Sequence, residues 1–406
     1  MNSSRRLFLK TSGLGLLALG LPPSFLVRAA DEKGKRGKIL VVVFQRGGMD
    51  GLNAVIPFRD RTYSSLRPSI AVREPAAGEE RAIDLDGFYG FHPALAPLKP
   101  LFDKGHLAVI HASGSPDNTR SHFDAQDYME LGTPGIKSTP DGWLNRVFTQ
   151  ERNDSNPFQA VALTQRLPRI LGGKAPALTM TSIEEFRLRD SLLAPTLQRY
   201  YADVKDPLFR QGGDNLFEAM KILRNVESTL PATSSGYPNG RLGASLKEIS
   251  RLIKANVGLE IAFAESEGWD THVNQGGATG QMANRLKDLA EGLAAFYRDL
   301  GDRMEEVVLV TLSEFGRTAR ENGNRGTDHG HANVMFVLGG KVRGGKVYGR
   351  WPGLAPELLY EGRDLALTTD FRAVCGDVLT QHMGQRDLSK VFPGFKSPPP
   401  ILQWKV

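Results

Sequence analysis

Six short runs of apolar, largely β-branched residues constrain the fold of this chain more than any other feature. They span residues 39–44, 107–111, 160–163, 259–263, 307–312 and 334–338. A run of this kind, without regular polar alternation, is typical of a strand that is buried on both faces of a sheet. Helical patterns lie between the runs, so that strands alternate with helices along the chain. This alternation predicts a three-layer α/β/α fold with a mostly parallel central sheet.

A helix-rich stretch interrupts the alternation between residues 183 and 256. Amphipathic patterns cover residues 183–201 and 216–230, and a loop rich in Pro, Ser and Gly follows at 231–240. We expect this stretch to form a helical insertion or cap on an α/β domain that spans residues 30–406.

The first 29 residues have the pattern of an export signal. Ser4-Arg5-Arg6-Leu7-Phe8-Leu9-Lys10 resembles the twin-arginine signal, a weakly apolar run follows at residues 14–21, and Val27-Arg28-Ala29 suits signal peptidase. We therefore predict cleavage after Ala29, export by the twin-arginine machinery, and a periplasmic or extracellular location. The apolar run is too short to cross a bilayer as a helix, so no stable membrane span is expected.

Charge and cysteine content exclude several classes of function. The formal charge is +6 for the whole chain and +2 without residues 1–29, which carry four basic residues and no acidic ones. The remainder has no dense basic stripe with interleaved aromatics, so we expect no nucleic-acid partner. The lone Cys375 cannot form a disulfide within the chain, an iron–sulfur cluster or a cysteine-rich zinc site. Any metal ion must therefore be held by histidines and carboxylates.

Carboxylates and histidines recur beside the predicted strands, where open α/β sheets place their ligands. These side chains are the ones that divalent zinc, manganese or magnesium accepts. The cluster at residues 327–331 favours metal ligation, because packing does not explain so many such side chains at one sheet edge. Turn formation by Asp50, and a solvated acidic turn at Asp270 and His272, stay open as alternatives. The candidates are Asp50, His122, Asp124, Asp270, His272, Glu314, Asp328, His329 and His331.

Taken together, the motifs resemble a known family over nearly the whole mature chain. They are Arg46-Gly47-Gly48-Met49-Asp50-Gly51-Leu52-Asn53, Arg120-Ser121-His122-Phe123-Asp124, Asp141-Gly142-Trp143-Leu144, Gly268-Trp269-Asp270-Thr271-His272, Ser313-Glu314-Phe315-Gly316-Arg317-Thr318 and Thr327-Asp328-His329-Gly330. With the export signal, this set resembles the exported domain-of-unknown-function family fifteen-oh-one. That family is grouped with the alkaline phosphatases, sulfatases and cofactor-independent phosphoglycerate mutases, so the resemblance implies an alkaline-phosphatase-like fold.

The resemblance also implies a function. It implies an exported hydrolase that cleaves a phosphate or sulfate ester of an anionic small molecule or polymer. The cofactor would be one or two divalent ions, zinc, manganese, magnesium or calcium. Glu314 would take the place of the superfamily's Asp, with Phe315 where His is expected, and the loop 327–331 would supply the final histidine. The implied ligands are Asp50, Asp270, His272, Glu314 and His329, with Asp328 and His331 close behind.

Ser121 and His122 occupy the place where the superfamily has its nucleophile, at the start of a predicted helix. Backbone N–H groups at such a start stabilise a developing anion. Ser121 as a simple N-cap with Asp124 as its capping-box partner is the alternative. His122 in this place is either a metal ligand that replaces the nucleophile or a sign that the site is not hydrolytic. The absence of Cys here excludes formylglycine chemistry.

Three arginines are candidate clamps for the substrate anion, because a guanidinium binds phosphate or sulfate bidentately. They are Arg46, Arg120 and Arg317, and surface salt bridges are their alternative role. A serine hydrolase is disfavoured because the chain has no Gly-x-Ser-x-Gly elbow. The main alternative to an enzyme is a metal-stabilised binding or scaffold protein on the same fold. The sequence predicts no oligomeric state.

Overall fold

The computed structural model describes residues 37–148, 156–186, 194–227 and 236–405. The predicted export signal and parts of the predicted insertion lie outside these residues. Among the helices of the described ranges, none combines the length and the apolar character that crossing a membrane requires.

Two sheets are formed, one of nine strands and one of three. The strands are β1 (Ile39–Arg46), β2 (Val55–Ile56), β3 (Ile83–Asp84), β4 (Gly90–Phe91), β5 (Leu107–Gly114), β6 (Ala160–Ala162), β7 (Leu178–Thr179), β8 (Ile261–Glu267), β9 (Val307–Ser313), β10 (Asn333–Gly339), β11 (Val347–Tyr348) and β12 (Thr369–Asp370). The small sheet has the order β2-β4-β3, and all other strands belong to the large one.

The helices connect and cover the strands of the large sheet. They are α1 (Gly51–Ala54), α2 (Arg61–Leu66), α3 (Lys99–Asp103), α4 (His122–Leu131), α5 (Trp143–Arg146), α6 (Ala194–Asp203), α7 (Pro207–Glu227), α8 (Arg241–Lys254), α9 (Gln281–Leu300), α10 (Phe371–Gln381) and α11 (Leu388–Val391). Short 3-10 helices span Pro93–Leu98, Arg169–Leu171, Gly301–Glu306 and Pro356–Leu358. Helices α6 to α8 lie in the region of the predicted insertion, whose status as a cap stays a prediction.

The strand direction explains where loops from distant parts of the chain meet. The large sheet has the order β11-β5-β10-β9-β1-β8-β6-β7, with β12 also paired to β5. Strand β1 is parallel to both β8 and β9. Strand β10 alone is antiparallel to its neighbours β5 and β9. Since β10 is reversed, the segment that enters it lies at the same rim as the carboxyl ends of β1, β8 and β9.

Alternate residues of the central strands face two separate cores. In β1, Val41 and Val43 pack with apolar residues of α8 and α9, while Val42 and Phe44 pack with residues of α5, α10 and α11. Because side chains alternate across a strand, each face of the sheet needs its own layer of helices. The predicted three-layer α/β/α class with a mostly parallel sheet is therefore confirmed.

Candidate metal centre

The rim above β1, β8 and β9 gathers residues from five segments of the chain. Asp270 lies three residues past β8, Glu314 directly follows β9, and His329 lies in the loop that enters β10. His122 is the first residue of α4. The turn after β1 contributes Gly47, whose φ of +119° and closeness to Asp270 leave no room for a side chain, since a Cβ there would lie 2.6 Å from the Asp270 nitrogen.

Three imidazole rings converge on a single carboxylate oxygen. Asp270 Oδ1 lies 2.9 Å from His272 Nε2, 3.3 Å from His329 Nε2 and 3.5 Å from His122 Nε2. His272 Nε2 and His329 Nε2 are themselves 2.9 Å apart. One ligand atom each from His122, Asp270 and His329 fits within a mutual distance of 4.8 Å. His272 Nε2 lies beside two of these three atoms, Asp270 Oδ1 and His329 Nε2.

The spacing of these atoms matches the spacing of ligands around a zinc ion. Zinc–ligand bonds of about 2.0–2.1 Å in tetrahedral geometry place neighbouring ligand atoms about 3.3 Å apart. The four separations given above, from 2.9 to 3.5 Å, bracket this value. The residues present therefore fit a divalent metal ion in donor type, and the ligand atoms of His122, Asp270 and His329 are close enough together to share one ion.

The opposite nitrogen of each ring is held by an oxygen atom. His122 Nδ1 lies 2.8 Å from Glu314 Oε1, and His272 Nδ1 lies 3.0 Å from Asp328 Oδ1. His329 Nδ1 lies 2.7 Å from the carbonyl oxygen of Arg120. A carbonyl and an ionised carboxylate only accept hydrogen bonds, so each Nδ1 carries the hydrogen and each neutral ring has its lone pair on Nε2. This arrangement of outer partners is the one seen around metal-ligating histidines.

The pKa values of the acidic groups keep them ionised. Burial alone would raise the pKa of Asp270, but the hydrogen bond and charge of Arg317, with the neighbouring imidazoles, bring it down to about 2. Burial likewise opposes ionisation of Glu314, and hydrogen bonds from His122, Gln126 and the Gly47 N–H outweigh it, so that its pKa is lowered. The site is thus prepared for a cation before one binds.

The pKa values of two ligand histidines move in opposite directions. Glu314 raises the pKa of His122 by hydrogen bonding to its ring. Burial lowers the pKa of His329. His122 Nε2 is buried and finds no hydrogen-bond partner among the described residues. A buried, unpartnered nitrogen is unfavourable unless something outside the chain completes it.

Glu314, a predicted ligand, lies behind His122 rather than at the meeting point of the Nε2 atoms. Its Oε1 accepts from His122 Nδ1, from Gln126 Nε2 at 2.9 Å and from the Gly47 N–H at 2.8 Å. Its Oε2 accepts from the Ser313 hydroxyl at 3.2 Å. The side chain is fully buried. Its contacts are those of a residue that orients His122.

Asp50 and His331, also predicted ligands, have other partners. Asp50 is fully buried, and its Oδ2 lies 2.6 Å from both Arg67 Nη1 and Gln275 Nε2. His331 is buried and stacks on Tyr360 with ring centroids 4.3 Å apart. Asp328 contacts His272 Nδ1 and accepts from Asn322 Nδ2 at 3.0 Å. The structure thus brings Asp270, His272, His329 and His122 together and holds Glu314 and Asp328 against their rings.

The three arginines predicted as anion clamps are paired within the chain. Arg46 bonds Glu265 and Glu130, and Arg120 bonds Asp364 and Glu361. Arg317 is almost completely buried and donates to Asp270 Oδ1 at 2.6 Å and to the backbone oxygens of three loops. Their observed contacts are those of residues that hold the loops in place.

Ser121 is the N-cap of α4. Its hydroxyl oxygen accepts the backbone N–H of Asp124 at 3.4 Å, while the Asp124 carboxylate pairs with Lys137. The helix ends at Gly132, whose φ of +66° closes it. The hydroxyl therefore has the structural partner that the N-cap alternative requires.

Sequence reasoning missed several residues that support the site. Gln126 follows His122 by four positions on α4, a spacing that places both on one helix face and could have identified it. Arg67 and Gln275 carry no comparable signal toward Asp50, because they lie 17 and 225 positions from it along the chain. Asn322, which bonds the His272 carbonyl and Asp328, lies in the loop that precedes Thr327.

Comparison with known proteins gives weak structural likenesses. No curated protein matches the chain in sequence. The C-terminal periplasmic domain of EcEptC from Escherichia coli, in complex with Zn, is 10% identical over 76% of this chain and 74% of its own, with a TM-score of 0.36. The PsFucS1 sulfatase from Pseudoalteromonas sp. is 11% identical over 80% of this chain and 68% of its own, with a TM-score of 0.33. The lipoteichoic acid synthase LtaP from Listeria monocytogenes is 10% identical over 75% of this chain and 65% of its own, with a TM-score of 0.32.

A family model gives the more specific result. The model described as "Protein of unknown function (DUF1501)" matches residues 108–392, which include α4, β8 to β10 and all four converging side chains. This range is well over half of the chain and confirms the family expected from the motifs. The chain therefore belongs to the DUF1501 family.

Proposed function

We propose that His122, Asp270, His272 and His329 bind one divalent metal ion and that the chain is an exported, metal-dependent hydrolase of phosphate or sulfate esters. The observation that carries the proposal is the 2.9 Å approach of His272 Nε2 and His329 Nε2. Both rings have Nδ1 directed at an oxygen acceptor, so two nitrogen lone pairs face each other. Lone pairs at this distance repel unless a proton or a cation lies between them.

The donor set favours zinc among the four metals considered. Three imidazole nitrogens and one carboxylate oxygen suit zinc or another first-row transition metal, whereas magnesium and calcium prefer oxygen ligands. The donors found account for a single ion. Asp50, which a second ion would need, is already neutralised by the Arg67 guanidinium at 2.6 Å.

When bound, a divalent ion supplies Lewis-acid chemistry that polarises an ester oxygen and makes water a better nucleophile. The chain's own residues prepare the site for this. Arg317, with the His122 and His272 rings, holds Asp270 ionised, and Glu314 keeps the hydrogen of His122 on Nδ1. The Asp270 side chain is 46% exposed and that of His272 38%, so that a substrate can reach the site from solvent.

The substrate anion needs a cationic group other than the three predicted arginines. Arg363 is the candidate, because its side chain is 40% exposed, its guanidinium donates to the His329 carbonyl, and its contact with a carboxylate, Nε to Asp364 Oδ1, is 3.4 Å long. We expect Arg363→Met to raise KM for an anionic ester and to leave metal content unchanged. Arg59→Met is a matched control, since Arg59 is an arginine whose bond to the Gly87 carbonyl is exposed.

Water is the nucleophile that the contacts favour. The hydroxyl oxygen of Ser121, the predicted nucleophile, serves as the cap of α4. The lack of a free Ser121 hydroxyl also supports the second candidate function, a protein that binds metal and an anionic ligand without turnover.

Metal analysis followed by an ester panel tests the proposal. Purified protein is analysed for bound metals, stripped with a chelator, reloaded with Zn²⁺, and assayed with an aryl phosphate, a diaryl phosphodiester and an aryl sulfate. We expect one ion per chain and turnover that requires it. One bound ion without turnover of any ester would make the binding function the better one, and protein that takes up no ion would overturn the metal site itself.

Export is proposed on the sequence of residues 1–29 alone. We expect the protein in the periplasmic or extracellular fraction of a host with a twin-arginine system, and replacing Arg5 and Arg6 together by lysine to retain it in the cytoplasm. Equal export of both forms would contradict the twin-arginine assignment and would have no bearing on the proposed metal site.

A further inference from the structure

A buried polar network lies directly beneath the proposed metal ligands. Its members are at most 2% exposed: Asp50, Arg67, Gln275, Thr271 and Thr327. Buried polar groups are costly unless each finds a partner, and these side chains bond one another, leaving Asp50 Oδ1 as the network atom without a partner among the described residues. The mechanism proposed above uses none of these side chains.

Gln275 is the centre of the network. Its Oε1 accepts the Thr271 hydroxyl at 2.8 Å and the Thr327 hydroxyl at 2.7 Å. Its Nε2 donates to Asp50 Oδ2 at 2.6 Å. The amide therefore joins three loops that follow or precede three different strands.

The two threonines belong to the two loops that carry ligands. Thr271 lies between Asp270 and His272, and Thr327 lies two residues before His329. The loops are also paired along their backbones, with Thr327 N–H donating to the Thr271 carbonyl and Gln275 N–H to the Arg325 carbonyl. A shift of either threonine would change the separation of the Nε2 atoms above it.

Asp50 and Arg67 determine which way the Gln275 amide points. A carboxylate only accepts, so the NH₂ end must face Asp50 and the oxygen must face the two hydroxyls. Arg67 Nη1 donates to Asp50 Oδ2. The Nε and Nη2 of Arg67 donate to the carbonyls of Ala319 and Thr318, which lie in the loop after β9. Reversing the amide would set its oxygen against the Asp50 carboxylate.

We propose that Gln275 is a positioning residue that clamps the two ligand-bearing loops together, and that Asp50 acts through it rather than as a metal ligand. This inference rests on the proposed metal site. The clamp holds Asp270 and His272 in register with His329 before any ion binds.

Threonine-to-valine variants test the clamp, because they remove one hydroxyl at nearly constant volume. Thr271→Val, Thr327→Val and the pair are titrated with Co²⁺ and followed by visible absorption, which reports both affinity and coordination geometry. Each single variant is expected to weaken Co²⁺ binding about 10-fold, the size of effect seen for outer partners of metal ligands. Gln275→Leu should weaken it as much as the pair, because all three changes break the same clamp.

Thr164→Val is the matched control. Thr164 is a buried threonine whose hydroxyl bonds the Arg166 carbonyl and Thr179, near the β6 and β7 edge of the sheet. Its loss should lower the thermal stability of the apo protein much as the other variants do, while Co²⁺ affinity and spectrum stay within about two-fold of wild type.

Amide hydrogen exchange of the apo protein measures how firmly the two loops are held together in the absence of metal. We expect faster exchange at residues 271–275 and 324–327 in Thr271→Val and Thr327→Val, and no change there in Thr164→Val. Unchanged exchange and unchanged Co²⁺ affinity in the threonine variants would overturn the clamp. A wild-type protein that fails to bind Co²⁺ would overturn the metal site, and exchange alone would then decide whether Gln275 holds the loops.

Discussion

Asp50 and Asp270 follow neighbouring parallel strands, β1 and β8, and meet entirely different surroundings at the same rim of the sheet. Asp50 is completely buried and shares one oxygen between Arg67 and Gln275. The Asp270 side chain is 46% exposed and shares one oxygen between Arg317 and three imidazole rings. The two carboxylates have equivalent positions in the topology and different partners.

The difference shows that partners, rather than topological position, decide what a carboxylate does. Each carboxylate has a guanidinium at 2.6 Å, Arg67 beside Asp50 and Arg317 beside Asp270, so the difference lies in their other partners; for Asp50 Oδ2 the other partner is the Gln275 amide. Asp270 differs in that three imidazole rings also approach its Oδ1, and when neutral these rings expose lone pairs that a cation from solution can complete. We therefore propose that one loop is a structural anchor and the other a binding site.

The largest expected effect comes from removing the permanent charge beside Asp50. Arg67→Met should lower the free energy of unfolding by about 3–5 kcal/mol, because it leaves a buried carboxylate unpaired. Urea denaturation of the apo protein measures this, and adding Asp50→Asn should restore part of the loss. A variant that instead gained a second bound ion would make Asp50 a metal ligand.

The complementary change acts on Asp270. Asp270→Asn keeps the volume and removes the charge, so we expect metal affinity to fall by more than about 100-fold, beyond the range for outer partners of a metal site. The fold should survive at neutral pH, since the side chain is half-exposed. Metal content measures the first point and circular dichroism the second. An unchanged metal stoichiometry would favour the alternative that Asp270 is only part of a solvated acidic turn.

A smaller loss is expected one step away from the ligands. Glu314→Gln should weaken metal binding about 10-fold by relaxing the orientation of His122, and the pKa of His122 in the apo protein should fall back from its raised position. Proton NMR titration measures the pKa. Glu130→Gln is a matched control, because Glu130 is a buried carboxylate on the same helix that pairs with Arg46. Equal effects in both variants would argue against a specific role for Glu314.

The smallest effect is expected at Ser121. As the cap of α4, Ser121→Ala should cost about 1 kcal/mol of stability and leave metal content and turnover nearly intact. Steady-state kinetics on whichever ester the panel identifies, together with thermal unfolding, makes the distinction. A loss of turnover by several orders of magnitude at normal metal content would identify Ser121 as a covalent nucleophile.

The sequence predicted the fold class because burial leaves a local record. The run at residues 39–44 has no polar alternation, and in the structure both of its faces are covered by helices. It also indicated Asp270, His272 and His329 as ligand-type residues at a sheet edge. These predictions need only residue type and distance from a strand end.

Side-chain partners could not be predicted in the same way. In the sequence Asp50 is equivalent to Asp270, because each follows a buried strand. In the structure Asp50 Oδ2 contacts Arg67, 17 positions away, and Gln275, 225 positions away. Glu314 follows its strand as a ligand would, and its carboxylate reaches the far side of the His122 ring. Arg46, Arg120 and Arg317 could have faced solvent, and each finds carboxylates inside the chain.

Strand direction is the clearest case of what only the tertiary structure decided. By itself the sequence determined that strands and helices alternate and that His329 stands just before a strand, a position that in an all-parallel sheet lies at the rim opposite Asp270. The reversed strand β10, antiparallel to both β5 and β9, brings His329 to the rim of Asp270. Direction depends on hydrogen bonds between strands far apart in the chain, and the periodicity of a single buried strand carries no record of it.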